Sequence, residues 1–168
     1  MLIKYTIQAS PLGRLLIAST EKGICMVSLG DSDPNLVEAL RERFSAAEFE
    51  RNNAYFDKMM PAFLSYLTGQ RPELDLPVDI GTTPFRLKVY EALKKIPYGK
   101  TCSYEEVAQA IGNPRAIRAV GSACANNPVA LVIPCHRVVR KDGSLGGYRW
   151  GLKRKEKLLE MERRLTPM

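Results

Sequence analysis

A single histidine, His136, and a single tryptophan, Trp150, stand in a chain of 168 residues. The four cysteines (Cys25, Cys102, Cys124, Cys135) are widely spaced and form no CxxC pair. Without paired ligand spacing the common structural zinc sites are excluded, and adjacent Cys135 and His136 make an awkward chelate, so no metal is expected. A disulfide framework is not expected in a chain this long without a secretion signal, which leaves reduced thiols as the default. No apolar run approaches the roughly 18 residues needed to cross a bilayer, and the N-terminus lacks the apolar core of a signal peptide. These absences predict a soluble, intracellular protein that does not engage a membrane.

What is present is unevenly distributed. Residues 1–80 carry 8 Lys/Arg against 11 Asp/Glu, whereas residues 81–168 carry 17 against 7, and the net charge is +7. A basic half points to an anionic partner, nucleic acid first, although a solvated basic surface explains the charge equally well. At 45% hydrophobic residues the chain can bury a core of one large domain or two small ones.

The first thirty residues read as a meander of strands over Leu2–Ile7, Leu15–Ala18 and Ile24–Leu29, separated by turn residues. Asp33-Pro34 then predicts a helix with an Asp N-cap, Pro at N1, and Leu36, Val37, Leu40 and Phe44 on one face. A second helix is predicted from Ala54 to about Leu67, and a short strand from Leu74 to Ile80. Residues 1–80 thus form an α/β scaffold domain with an antiparallel sheet, and no catalytic constellation stands out in it.

Residues 81–168 read as a mostly helical second domain, which makes the chain α/β (α+β) as a whole. Thr83-Pro84 opens a helix with Phe85, Val89, Leu93 and Ile96 on one side. Ser103 and Glu106 have capping-box spacing before a short helix carrying Val107, Ala110 and Ile111. Gly112-Asn113 ends it, and Pro114 starts a further helix over Arg115–Ala125. Helix, tight turn and helix are the pattern of a helix-turn-helix DNA reader, and equally of an αα-hairpin in an ordinary core. The second helix is rich in small residues (Ala116, Ala119, Gly121, Ser122, Ala123, Ala125) with Arg115 and Arg118 standing out. Small residues allow close approach to a surface, whether a nucleic-acid groove or a packed core. An Asp142-Gly143 turn predicts a hairpin or wing, followed by an amphipathic helix from Leu152 to about Leu165 with Leu158, Leu159 and Met161 to bury.

The stretch with the strongest chemical content is Ile133-Pro134-Cys135-His136-Arg137-Val138. It follows the apolar run Val129–Ile133, places a thiol beside the lone imidazole, and has a proline fixing φ just before the cysteine, as on a stiffened strand exit.

Pro134-Cys135-His136-Arg137-Val138 also resembles the signature of the O6-alkylguanine-DNA alkyltransferases, or methylated-DNA–protein-cysteine methyltransferases. Ile96-Pro97-Tyr98-Gly99, Ser103-Tyr104, Arg118-Ala119-Val120-Gly121, Asn127-Pro128, Gly147-Tyr148 and Lys155-Glu156-x-Leu158-Leu159-x-x-Glu162 extend the match across residues 81–165. The segment Gly147-Tyr148-Arg149-Trp150-Gly151 looks most like the C-terminal part of the bacterial Ada protein.

The resemblance implies stoichiometric repair of double-stranded DNA. An O6-alkylguanine, or an O4-alkylthymine, would be rotated out of the duplex and its alkyl group moved once to Cys135. His136 would take the thiol proton through a water, Glu162 would hold His136, Tyr104 would protonate the leaving guanine, and Asn127 would brace the thiol. Arg118 would fill the gap in the base stack. Arg115, Ala119, Gly121, Ser122 and Ala123 would meet the minor groove. Val138, Tyr148, Arg149, Trp150, Ala130 and Lys155 would surround the base, with the Cys135 and Val138 carbonyls reading its exocyclic amine. If Trp150 overhangs the pocket, bulky benzyl adducts should fit poorly and methyl should be preferred. The resemblance also implies no cofactor, a monomer, and a cytoplasmic, nucleoid-associated location. Two other function classes stay open on the residues alone: a sensor that only recognises alkylated bases, and a thiol hydrolase that turns over repeatedly.

Overall fold

The computed structural model describes residues 1–166. It divides into two compact units, residues 1–80 with 128–130, and residues 81–127 with the chain from Leu131 onward.

The first unit is built on a sheet of β1 (Leu2–Ser10), β2 (Gly13–Thr20), β3 (Gly23–Gly30) and β4 (Glu48–Arg51) in the order β3-β2-β1-β4. The first three strands are antiparallel, and β4 lies parallel to β1. Leu15 to Thr20 and Ile24 to Leu29 are buried without interruption, so β2 and β3 are covered on both faces, unlike the half-exposed strands of a one-sided meander. Ile3, Ile7, Leu16, Ala18, Cys25 and Met26 form a core with Leu36 and Leu40 of helix α1 (Asp33–Arg43).

Several local expectations are corrected here. The N-cap of α1 is Ser32, whose hydroxyl accepts from the Asn35 N–H at 3.4 Å; Asp33 instead pairs with Arg14 at 2.6 Å. The helix expected from Ala54 is split into a 3₁₀ turn at Ala54–Phe56 and helix α2 (Met60–Leu67). Pro61 explains the split, because it lacks an N–H and is tolerated only in a first turn. The segment expected as a strand from Leu74 to Ile80 contributes only a bridge at Val78, fixed by Ile24 N–H to Pro77 C=O at 2.9 Å and Asp79 N–H to Ile24 C=O at 2.7 Å. Strand β4 was not expected; Glu48-Phe49-Glu50-Arg51 has only one apolar residue, and its ladder depends on a distant partner.

The second unit holds α3 (Pro84–Lys94), β5 (Cys102–Ser103), α4 (Tyr104–Ala110), α5 (Ile117–Ala125), β6 (Val138–Val139) and α6 (Leu152–Leu165). Thr83 caps α3 through Arg86 N–H, and Val89, Tyr90 and Leu93 face inward. The capping box at Ser103 and Glu106 is formed in both directions, at 3.0 and 3.1 Å. Val107 and Ala108 are the buried residues of α4, whereas Ala110 is exposed. Helix α5 starts at Ile117, two residues later than expected, because Asn113 to Ala116 form a turn closed by the Ala116 N–H to Asn113 C=O bond. The wing is not a paired hairpin: β6 pairs in parallel with β5, and among the described residues no strand forms beyond the Asp142-Gly143 turn. Among the described residues no helix is long and apolar enough to cross a membrane.

Candidate active site

The apolar run before Cys135 is a buried, turn-rich segment and not a strand. Leu131 has φ 72°, a left-handed conformation that a leucine rarely adopts, so strain lies four residues ahead of Cys135. Pro134, with φ −80° and ψ 62°, is the centre of an inverse γ-turn closed by the Cys135 N–H to Ile133 C=O bond at 2.8 Å. Cys135, His136 and Arg137 follow as a 3₁₀ turn, all three buried. The Asn127 side-chain amide, fully buried, donates to the Ile133 carbonyl at 2.9 Å and to the Cys135 sulfur at 3.2 Å. One amide therefore fixes the turn and the thiol together.

His136 Nε2 lies 2.8 Å from Glu162 Oε2, with both residues at most 1% exposed. Arg137 grips the same carboxylate, Nε to Oε1 at 2.8 Å and Nη2 to Oε2 at 2.9 Å. Burial alone would raise the Glu162 carboxyl, but the bonds and charges of His136 and Arg137 outweigh it and hold it at about 2. Burial pushes the His136 imidazole below its ordinary value, against the upward pull of Glu162. Burial pushes the Cys135 thiol up to about 11, partly offset by the Asn127 bond and the Lys155 charge. At neutral pH the pair is therefore a neutral thiol beside a neutral imidazole, which needs a base to generate the nucleophile.

Cys135 lines a cavity of about 550 Å³, a volume in the range of small-molecule sites. Tyr104, Cys124 and Gly121 from α4 and α5, and Gly146, Tyr148 and Arg149 from the wing, line it with Cys135. Burial raises the Tyr104 phenol, with Cys124 adding to the rise, so it stays protonated and able to donate. Gly146, at φ 71°, lies so close to this phenol that a Cβ there would come 2.7 Å from Tyr104 Oη. Only glycine fits that contact.

The expected residues fall into groups. Cys135 is bonded to Asn127, and His136, next in the chain, to Glu162; Tyr104 faces the same cavity as Cys135. On α5, Arg118, Ala119 and Ser122 are exposed, as is Arg115 just before the helix, and Gly121 lies against the Tyr104 ring. Ala123 is a correction: it is fully buried and its carbonyl accepts from the Tyr90 hydroxyl at 2.8 Å, so it is turned away from any groove.

Of the expected base-pocket residues, Tyr148 and Arg149 line the cavity, and the Arg149 guanidinium also donates to the Asn127 carbonyl at 3.0 Å. Val138, Trp150, Ala130 and Lys155 do not line it. Trp150 is 6% exposed and packs edge-on against Tyr148, so the expected overhang is not found. Ala130 belongs to the first unit, where its N–H donates to Val27 at 3.1 Å. The Val138 carbonyl accepts from Lys155 Nζ at 2.6 Å, and Lys155 also bonds the carbonyls of Leu145 and Gly147. Lys155 is thus a fully buried tie between β6 and the wing.

Two residues gain weight that the sequence did not give them. Arg137 stood in the signature without a part to play; its partner lies 25 residues away, and no local pattern announces such a pair. Cys124 read as a small core residue, and it is a buried residue that also walls the cavity, its thiol pushed up to about 12 by burial and by Cys135.

Comparison with known proteins accounts for both halves of the chain. The ribonuclease-like domain of 6-O-methylguanine DNA methyltransferase matches residues 3–80, and the DNA-binding domain of the same family matches residues 84–164. The chain is 46% identical over 160 residues to the bifunctional transcriptional activator/DNA repair enzyme Ada of Escherichia coli (strain K12), covering 95% of this chain and 45% of Ada. It spans 45% of the length of the Salmonella typhimurium regulatory protein ada as well, at 44% identity. It is 42% identical to the inducible methylated-DNA–protein-cysteine methyltransferase of Bacillus subtilis (strain 168), covering 89% of this chain and 84% of that protein. The crystal structure of Mycobacterium tuberculosis OGT in complex with DNA is similar with a TM-score of 0.83 at 34% identity, covering 98% of this chain and 95% of that one. With the two family domains matched in order and little of the chain left over, this protein belongs to the 6-O-methylguanine DNA methyltransferase family.

Proposed function

We propose that this protein repairs DNA by transferring the alkyl group of O6-alkylguanine, chiefly methyl, irreversibly to Cys135. The observation that carries the reading is a buried thiol held by Asn127, one residue before the Glu162-bonded His136 in the chain, on the wall of a cavity that Tyr104 also faces. Glu162 occupies Nε2 of the imidazole, so Nδ1 is the nitrogen that takes the thiol proton, through a water. The thiolate attacks the alkyl carbon; a sulfur–carbon bond forms as the carbon–O6 bond breaks. The neutral phenol of Tyr104 protonates the departing guanine, and the phenolate recovers a proton through water from the His136 imidazolium, so in sum the thiol proton is delivered to the guanine. The carbon–sulfur bond of a neutral thioether is hard to break, since a thiolate would have to leave, and no second nucleophile is assigned to take the alkyl group, which makes each molecule a single-use acceptor. O4-alkylthymine presents the same alkyl–oxygen bond and is a second substrate.

The target atom is stacked inside the duplex, so the base is rotated out, at a cost of about a few kcal/mol that a damaged pair reduces. Exposed Arg118 fills the vacated place, and Arg115, Ala119 and Ser122 meet the minor groove. Residues 81–168 act as the DNA-binding and transfer domain and residues 1–80 as its scaffold. The protein works as a monomer in the cytoplasm, on the nucleoid.

Mass spectrometry after incubation with a methylguanine-containing duplex tests the proposal. One methyl on the Cys135 peptide, one per protein and absent in Cys135→Ser, is expected. No adduct ends the proposal, and repeated turnover would replace it with a hydrolytic reading.

A further inference from the structure

Arg137 has no part in the proton and alkyl transfers above, yet its guanidinium governs the carboxylate that orients the base. Oε2 of Glu162 is shared: His136 Nε2 approaches it at 2.8 Å and Arg137 Nη2 at 2.9 Å. Arg137 Nε takes the other oxygen at 2.8 Å, and Nη1 donates to the Ile96 carbonyl at 2.8 Å. The Tyr98 ring lies 5.7 Å from the guanidinium carbon. Arg137 is 8% exposed and Glu162 1%, so the pair operates with little solvent screening.

A buried carboxylate alone against an imidazole draws a proton onto it, because the opposite charge favours the imidazolium. An imidazolium cannot accept the proton of a thiol. A guanidinium does not titrate in this range, and its fixed charge on the same two oxygens opposes that pull. We propose that Arg137 sets the basicity of His136 by neutralising Glu162 in place, which keeps the imidazole oriented but uncharged and ready to accept the Cys135 proton.

The inference rests on the assignment of His136 as the base. Arg137 is then a positioning residue that acts through Glu162. The charged and titratable groups acting on His136 are Glu162 and Lys155 from α6 and Arg137 from its own turn, with Cys135 preceding it in the chain; Tyr98 faces the Arg137–Glu162 pair. Burial lowers the imidazole most, Glu162 raises it, and Arg137 and Lys155 oppose Glu162.

The chain contains only one histidine, so the His136 ring proton can be titrated by NMR without assignment. Arg137→Met and Arg137→Gln, each checked for folding, should raise the His136 pKa by about one pH unit or more, a tenfold gain in proton affinity. The acid limb of the methyl-transfer rate should move up by the same amount. Arg137→Lys should return both most of the way, since it restores the charge but not the paired bonds. Arg137→Gln carries the test if Arg137→Met does not fold. A neutral variant that folds and titrates as the wild type overturns the inference, and so does a raised pKa with an unmoved acid limb. A wild type that transfers no methyl would sink the repair function instead, while the histidine titration would still decide for or against Arg137.

Discussion

The Asn127 amide nitrogen lies 3.2 Å from the Cys135 sulfur and 2.9 Å from the Ile133 carbonyl, so one buried side chain holds both the thiol and the turn before it. Asn127→Ala removes both bonds. It leaves the Ile133 carbonyl with only the Cys135 N–H, a loss of about 1–3 kcal/mol in stability. Because the Asn127 bond favours the thiolate, the Cys135 pKa should also rise above its value of about 11. Urea unfolding and the rate of methyl transfer at fixed pH check the two effects separately, and the rate should fall by more than lost stability explains.

Glu162 gives the fold a pH dependence of known sign. Its folded value of about 2 lies below the ordinary 4.5, so its contribution is complete above about pH 4.5 and is lost as pH falls towards 2. The interval corresponds to a contribution on the order of 3 kcal/mol. Glu162→Gln should be less stable at neutral pH, because Arg137 is left without its counter-charge, and its stability should fall less steeply below pH 4.5. Urea midpoints measured across that interval decide it; parallel curves for wild type and variant would contradict it.

Lys155 should act through the wing and not by contact with the guanine. The ammonium, fully buried, serves the carbonyls of Val138, Leu145 and Gly147, and the wing carries Gly146 against Tyr104. Lys155→Met is expected to free the wing, shift the emission of Trp150, the only tryptophan, to the red, and slow transfer about tenfold or more. Burial depresses the Lys155 pKa to about 8, so the cost of the buried charge is present below pH 8 and is relieved as pH rises towards 10.5. As pH rises from 8 towards 10, the wild type should therefore gain stability relative to Lys155→Met, in which the same thiols titrate.

Helix α5 separates surface from core within one turn. Arg118→Ala should impair repair of a methylated duplex far more than reaction with the free methylated base, and comparable losses would count against its place in the stack. Ala119→Glu on the exposed face should weaken duplex binding with little change in unfolding temperature. Ala123→Glu puts a charge into a fully buried position and should unfold the protein or cost several kcal/mol. Thermal unfolding and duplex binding on the same two variants separate the faces.

Much of this molecule is written in short-range signals. Ser103 with Glu106, Thr83 with Pro84, the Asp142-Gly143 turn and the span of α6 are each set by neighbours a few residues apart, because caps and turns are local hydrogen-bond chemistry. The placing of a thiol beside the lone histidine is equally local. The places where sequence reading failed are those where distant partners decide. Pro61 split a helix that periodicity ran together, and β4 exists only because β1 is there to pair with it.

The site divides along the same line. The sequence by itself determined which groups are available: one thiol next to one imidazole, a glutamate and a lysine one helix further on, and a capped helix beginning with Tyr104. Only the tertiary structure decided that Glu162 is shared between His136 and Arg137, that Lys155 binds main-chain carbonyls, and that Ala123 faces inward while Ala119 faces out. The physical reason is packing. Which face of α6 or α5 is buried depends on the shape and polarity of every element around it. A charged residue in an amphipathic helix reads as solvent-facing until a buried partner satisfies it.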